Sequence, residues 1–167
     1  MSEPGAMDTQ VFAAAQAGAD ALSNAIDEFV EFVKAVPENQ WNALVRVEER
    51  TVGVMAFHIA NGLRLNRDWL EPARRGEPVP GDDLDKYNAG EAVEHAGTTR
   101  DEVLEMIARN RGPAIEALGT LTAAEWEITV PFGPGGGIEL PVSRLATAGE
   151  RHIRVHLGHV REALAGS

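Results

Sequence analysis

Apolar residues return every third or fourth position in four long blocks of this chain, and each block is closed by proline or glycine. That spacing puts them on one face of a helix, and four such faces have to be buried against one another. Val11, Ala15, Leu22, Ile26, Phe29, Val30 and Val33 mark the first block, from Asp8 to about Ala35, with Asp8 or Thr9 placed to cap it and Pro37 to stop it. The second runs from about Glu49 to Leu70, turns Val52, Met55, Ile59, Leu63 and Trp69 inward, and closes at Pro72 and Gly76. Thr98 or Thr99 with Glu102 reads as the capping signal of the third, whose buried face is Val103, Leu104, Ile107, Ile115 and Leu118; Gly112-Pro113 predicts a kink in it. The fourth, Pro141 to Ala165, brings Leu145, Ala148, His152, His156, His159, Val160 and Ala163 near one face.

The segment before the last block has a different period. Trp126, Ile128, Val130 and Phe132 alternate, then Pro134 and Gly135-Gly136-Gly137 precede Ile138 and Leu140. Two short extended segments around a glycine-rich turn fit this pattern. Pro37 to Val47 reads as a linker holding Trp41 and Leu44, and Glu77 to Asp85 as a loop with helix-permissive sequence after Tyr87-Asn88. Met1 to Met7 reads as a mobile leader. The expected architecture is all-α: a four-helix bundle in one domain over 1–167, with a long loop or short β-ribbon before the last helix.

A chain of 167 residues that is 44% hydrophobic can bury a substantial core. It has no cysteine, which removes disulfides, thiolate ligands and any thiol nucleophile of its own, and agrees with a reducing compartment. A net charge of -11 with no basic run repels phosphate backbones, so nucleic acid is not an expected partner. No stretch approaches the roughly 20 apolar residues of a membrane span, and the start lacks a signal-peptide pattern. A cytoplasmic protein without a membrane partner is expected.

Chemistry concentrates in histidines. His152 and His156 are one helical turn apart, on one face, and His58 lies inward in the second block. Three imidazoles from two facing helices supply the ligand count of a catalytic zinc site with its fourth position open; nickel, iron, manganese and copper also accept imidazole. The plainer alternative is three ordinary hydrogen-bonded histidines. His159, one turn beyond His156, is either a partner of a ligand and proton shuttle or a bundle-end residue touching water. His95 reads as surface, Asn61 as a residue able to orient a ligand, Arg64 and Arg154 as anion contacts or surface ion pairs, and Tyr87-Asn88 as a segment able to close over a pocket. The glycine run has no lysine or helix start behind it, so it is a turn and not a phosphate loop, and no Ser/His/Asp arrangement is present.

The segments Arg50-Thr51-Val52-Gly53-Val54-Met55-Ala56-Phe57-His58-Ile59-Ala60 and Arg151-His152-Ile153-Arg154-Val155-His156-Leu157-Gly158-His159-Val160-Arg161 resemble the DinB-like family of four-helix bundles, which includes the mycothiol-dependent maleylpyruvate isomerase type. Asp85 to Ala89 and Asp101 to Leu104 are similar to it as well. The resemblance implies a divalent metal, zinc or nickel, at His58, His152 and His156. It differs from many DinB members at His159, where they carry glutamine, and from the isomerase type at His152, where that type carries glutamate. The three-histidine set is thus more similar to the DinB branch, some of whose members resemble metal-dependent thiol S-transferases. On that likeness the expected activity joins a low-molecular-weight thiol to an electrophilic small molecule held against Trp126 to Leu140, with His159 the candidate catalytic group. Rival expectations are a metal-dependent hydrolase with His159 or Glu150 moving protons, a maleylpyruvate-isomerase-like enzyme, and a non-catalytic metal or small-ligand binding module. A homodimer is the expected assembly.

Overall fold

The first block of the chain forms α1 (Ala6–Ala35), and its buried residues Ala15, Ala19, Leu22, Ile26, Phe29 and Val33 repeat at alternating steps of four and three. The protein is described here by a computed structural model over residues 6–166. Most of the leader expected at Met1 to Met7 lies outside the described residues, while Ala6 and Met7 already belong to α1, so Asp8 sits in its first turn and does not cap it.

The linker expected after α1 is partly ordered into a small antiparallel hairpin, β1 (Leu44–Val45) with β2 (Arg50–Thr51). Thr51 then caps α2 (Val52–Ala73), its hydroxyl accepting from the Val54 amide at 3.3 Å. Pro72 falls in the last turn of α2, where its missing N–H is tolerated less well than at a helix start, and the helix ends one residue later. A loop leads to α3 (Leu84–Glu94), and Thr99 with Glu102 forms the expected reciprocal cap of α4 (Arg100–Gly119). The helix continues through Gly112-Pro113 to Gly119.

Next comes a correction. Trp126 does not begin an extended segment: Thr122 and Glu125 make a second capping box, and Ala123–Trp126 is one helical turn, α5. The alternation is realised only from Thr129, where β3 (Thr129–Phe132) pairs antiparallel with β4 (Ile138–Pro141) across the glycine turn. Gly136 and Gly137 both take positive φ there, which an L side chain would oppose. The ribbon is tied to the loop after α2, because the Val79 amide donates to Pro131 O at 2.9 Å and the Gly133 amide to Val79 O at 2.9 Å. Pro141 leads into α6 (Val142–Ala165).

α1 packs on α4 and α6, and α2 packs on the same two helices, which is the expected four-helix bundle. Phe29, Leu22, Ile26, Met55, Ile59, Leu63, Ile107 and Ile153 lie almost wholly inside it. The inward face of α6 differs from its expected list. Leu145, Ala146, Gly149, Ile153, Leu157 and Val160 take the core, and His152, His156 and His159 flank that stripe, half-buried. Among the described residues no helix is long and apolar enough to cross a membrane.

One ion pair ties α2 to α5. Arg74 donates to both carboxylate oxygens of Glu125, at 2.8 and 3.0 Å. Hydrogen bonds from Arg74, and then from the Thr122 amide and hydroxyl, outweigh burial and hold the Glu125 carboxyl at about 2 against its ordinary 4.5. Because the folded pKa is depressed, the stabilisation is complete above pH 4.5 and drains away as the pH falls toward 2. Glu125→Gln should therefore cost on the order of 1–2 kcal/mol at pH 7, after solvent screening of the partly exposed pair. In urea melts across pH, the gap between variant and wild type should shrink from pH 4.5 downward; a gap independent of pH would exclude the ion pair as its cause.

Candidate metal centre

Small residues let α2 and α6 approach closely. A β-carbon added at Gly62 would lie 2.6 Å from His152 Cε1, and one at Gly149 would lie 3.1 Å from Asn66 Oδ1. Asn66 Nδ2 donates to the Leu145 carbonyl at 2.8 Å. His58, Gly62 and Asn66, each one turn from the next, thus run antiparallel to Leu145, Gly149, His152 and His156.

This brings the three expected histidines together. His58 Nε2 and His152 Nε2 are 3.0 Å apart. The ring centroids of the three imidazoles are 4.8, 5.0 and 4.6 Å from one another, all edge-on. One nitrogen from each lies within 4.8 Å of the others, a group able to hold a metal ion.

Two carboxylates frame the group from outside the bundle. Glu91 on α3 is buried, with Oε2 2.7 Å from His58 Nδ1. Asn61, also buried, donates from Nδ2 to Glu91 Oε1 at 2.5 Å and to the Tyr87 hydroxyl at 3.0 Å, and accepts from Arg64 Nε at 3.0 Å. Glu48, in the turn of the β1–β2 hairpin, has Oε1 2.7 Å from His156 Nδ1 and 2.6 Å from His159 Nδ1. The next residue, Glu49, holds φ at 55°, the only positive φ of a non-glycine residue among those described. Such a conformation costs about 1 kcal/mol and survives where surrounding contacts require it.

Burial alone would raise both carboxyls. At Glu91 the hydrogen bonds from His58 and Asn61, helped by the charge of Arg50, outweigh it and hold the group below the usual range. At Glu48 the hydrogen bonds from His159 and His156 do the same. An ionised carboxylate can only accept, so His58 and His156 each donate from Nδ1–H and turn Nε2 away from the acids. His152 is pushed well below the ordinary imidazole range, first by burial and then by the neighbouring His58 and His156. Burial pushes His156 down too, against the pull of Glu48. The 3.0 Å contact between His58 Nε2 and His152 Nε2 needs one proton held between the two nitrogens.

A cavity of about 480 Å³ opens beside the three imidazoles, walled by Trp69, Phe132, Leu140 and Leu145. Trp69 and Phe132 meet edge to face with centroids 5.0 Å apart, and Phe132 with Leu140 makes the β3–β4 ribbon one wall of the cavity. Asn88 lines the cavity, while Tyr87 turns to Asn61. His159 does not line the cavity; it reaches the group through Glu48 and by an edge-on contact with the His156 ring, centroids 6.1 Å apart.

Other expectations are revised. Of the two readings of Arg64 and Arg154 the ion pair is realised, Arg64 with Asp68 at 3.0 Å and Arg154 with Glu150 and Glu28, and this pairing engages Glu150, the expected proton carrier of the hydrolase reading. His95 is not simply surface: it stacks on Phe57 with centroids 3.7 Å apart. Glu48 and Glu91 escaped the sequence reading, because one lies in a hairpin turn and the other on a helix with no apolar stripe. The spacing of Tyr87 and Glu91, one turn apart on one face of α3, was the available signal.

A family model described as DinB superfamily matches residues 21–160, a span holding all three histidines and both carboxylates. No curated protein and no solved structure matches the chain.

The contact at Gly62 makes a test of the geometry. Gly62→Ala puts a methyl group into the space of the His152 ring, while alanine inside a helix is favoured over glycine by about 1 kcal/mol. The variant should melt no lower than wild type by more than about 1 kcal/mol, yet shift the His152 and His58 imidazole resonances in NMR spectra. Unshifted resonances would show that the two rings are not in the contact described.

Proposed function

The chain belongs to the DinB superfamily, and from that premise we propose that it is a metal-dependent enzyme joining a small cellular thiol to an electrophile held in the cavity beside the three histidines. The observation that carries this reading is the convergence of three imidazole nitrogens at an apolar cavity, with the outer nitrogens of two rings anchored on carboxylates. That donor set fits a divalent ion: two of the rings keep Nδ1 on a carboxylate with Nε2 turned away from it, and the cavity leaves a side open for a further ligand. When bound, zinc or nickel would hold a thiol as thiolate at neutral pH.

The chain's own residues do the rest. His58, His152 and His156 supply the donor nitrogens, and Glu91 and Glu48 accept hydrogen bonds from Nδ1–H and so fix two of the rings. Asn61 holds Glu91 in place from the far side. Trp69, Phe132 and Leu140 form an apolar wall that excludes water from a substrate beside the imidazoles. The nucleophilic sulfur comes from a cosubstrate, since the chain has no cysteine. His159 is read as a positioning residue that shares Glu48 with His156, rather than as a group touching substrate.

Elemental analysis of untagged protein tests the premise. Near one divalent ion per chain is expected, lost in a His152→Ala/His156→Ala variant, followed by metal- and thiol-dependent consumption of electrophiles. No uptake of zinc, nickel or manganese by the wild type would overturn the reading; turnover of esters or amides without thiol would replace it with hydrolysis. Glu91→Gln, which keeps the shape and removes the charge behind His58, should weaken metal affinity about 10–100-fold, measured by competition with a chromogenic chelator.

A further inference from the structure

Most of the arginines of this chain are tied down. Arg64 pairs with Asp68, Arg74 with Glu125, Arg111 with Asp27, and Arg154 with Glu150. Two that line the cavity are different. Among the described residues, the guanidinium groups of Arg144 and Arg151 make neither an ion pair nor a side-chain hydrogen bond, and both are exposed. The local sequence explains why: the positions three and four away on α6 and its approach are Leu140, Pro141, Thr147, Ala148, Arg154 and Val155, none of them acidic. In a chain of net charge -11, acids are plentiful elsewhere, so two free guanidiniums on one cavity rim leave a local cationic edge on an acidic molecule.

Their placement suits a ligand. Arg144 and Arg151 are two helical turns apart, about 10 Å along the axis, and Ala148 lies between them on the same side. The small residue leaves room for both side chains to lean over the opening. Below the rim the wall is apolar, built on the Trp69–Phe132 pair.

We propose that this cavity takes an organic acid, its carboxylate held at the rim by Arg144 and Arg151 and its apolar body lying against Trp69 and Phe132. Guanidinium suits a carboxylate because its planar fork donates two parallel hydrogen bonds. The inference rests on the function proposed above only in taking the cavity as the substrate site; the anion is recognised by residues that hold no metal.

The test uses metal-free full-length protein, so that it stands or falls apart from metal binding and turnover. Binding of 3-phenylpropanoate and of its uncharged amide is followed by calorimetry and by Trp69 fluorescence, with Trp69→Phe as the control for the signal. The acid should bind about tenfold tighter than the amide at low salt, and the preference should shrink as ionic strength rises. In an Arg144→Gln/Arg151→Gln variant the preference should vanish while amide affinity stays unchanged, which shows the cavity intact. Equal binding of acid and amide by wild type, a preference that survives in the variant, or no binding of either probe at millimolar concentration would each overturn the proposal. So would equal affinity for 3-mercaptopropanoate, which has the carboxylate without the apolar body and would move the anion to the thiol partner.

Discussion

The close approach of α2 and α6 is the constraint on which the rest of the centre depends. His58 and His152 meet at 3.0 Å because position 62 has no side chain to hold the helices apart, and a methyl group there would occupy the place of the His152 ring. Gly149 does the same one turn away, opposite Asn66, whose amide then reaches across to the Leu145 carbonyl. Glycine inside a helix costs about 1 kcal/mol relative to alanine. Here that loss is offset by the close packing register that a bare backbone at position 62 allows, and the register decides which side chains face each other.

The bundle alone does not finish the site. Its helices present three imidazoles, but both carboxylates that orient them come from connections: Glu48 from the β1–β2 turn and Glu91 from α3. A ring held at one nitrogen by an ionised acid has a fixed tautomer and a fixed direction for its remaining lone pair. This accounts for two features that the core does not need. One is the positive φ at Glu49, which lets a tight turn aim Glu48 at α6; the other is the burial of an acid on α3, a helix with little apolar face of its own.

The bundle was legible because helix period, caps and proline breaks are local signals. The step pattern of Ala15, Leu22, Ile26, Phe29 and Val33 needs no tertiary information, and neither does the Thr99–Glu102 box. The histidines were legible by type and spacing, yet their setting was not. The sequence places His152 and His156 on the apolar face of α6, whereas Ile153 and Leu157 take the core and the imidazoles flank it. A helix face is too broad for spacing alone to separate its centre from its edge. Glu48 and Glu91 were hidden for another reason: their partners are separated from them by 108 and 33 residues, and only the packing of distant segments brings them together. The same holds for the arginines. Arg154 read equally as an anion contact or an ion pair, and Glu150 one turn before it supplies the partner that Arg144 and Arg151 lack.

The burial that pushes His152 down also determines what the centre can hold. A group of three imidazoles open to water would gather protons as the pH falls, and each bound proton would repel a cation. Here desolvation, reinforced by the other two rings, pushes His152 well below the ordinary imidazole range and so opposes that protonation. The proton of the His58–His152 hydrogen bond lies between the two nitrogens that a cation would claim together. A cation bound there would compete with that proton for one place, and its uptake would release the proton. The carboxylates settle the balance, because Glu91 and Glu48 carry the compensating negative charge on the far side of the rings, where it favours a cation without occupying its place.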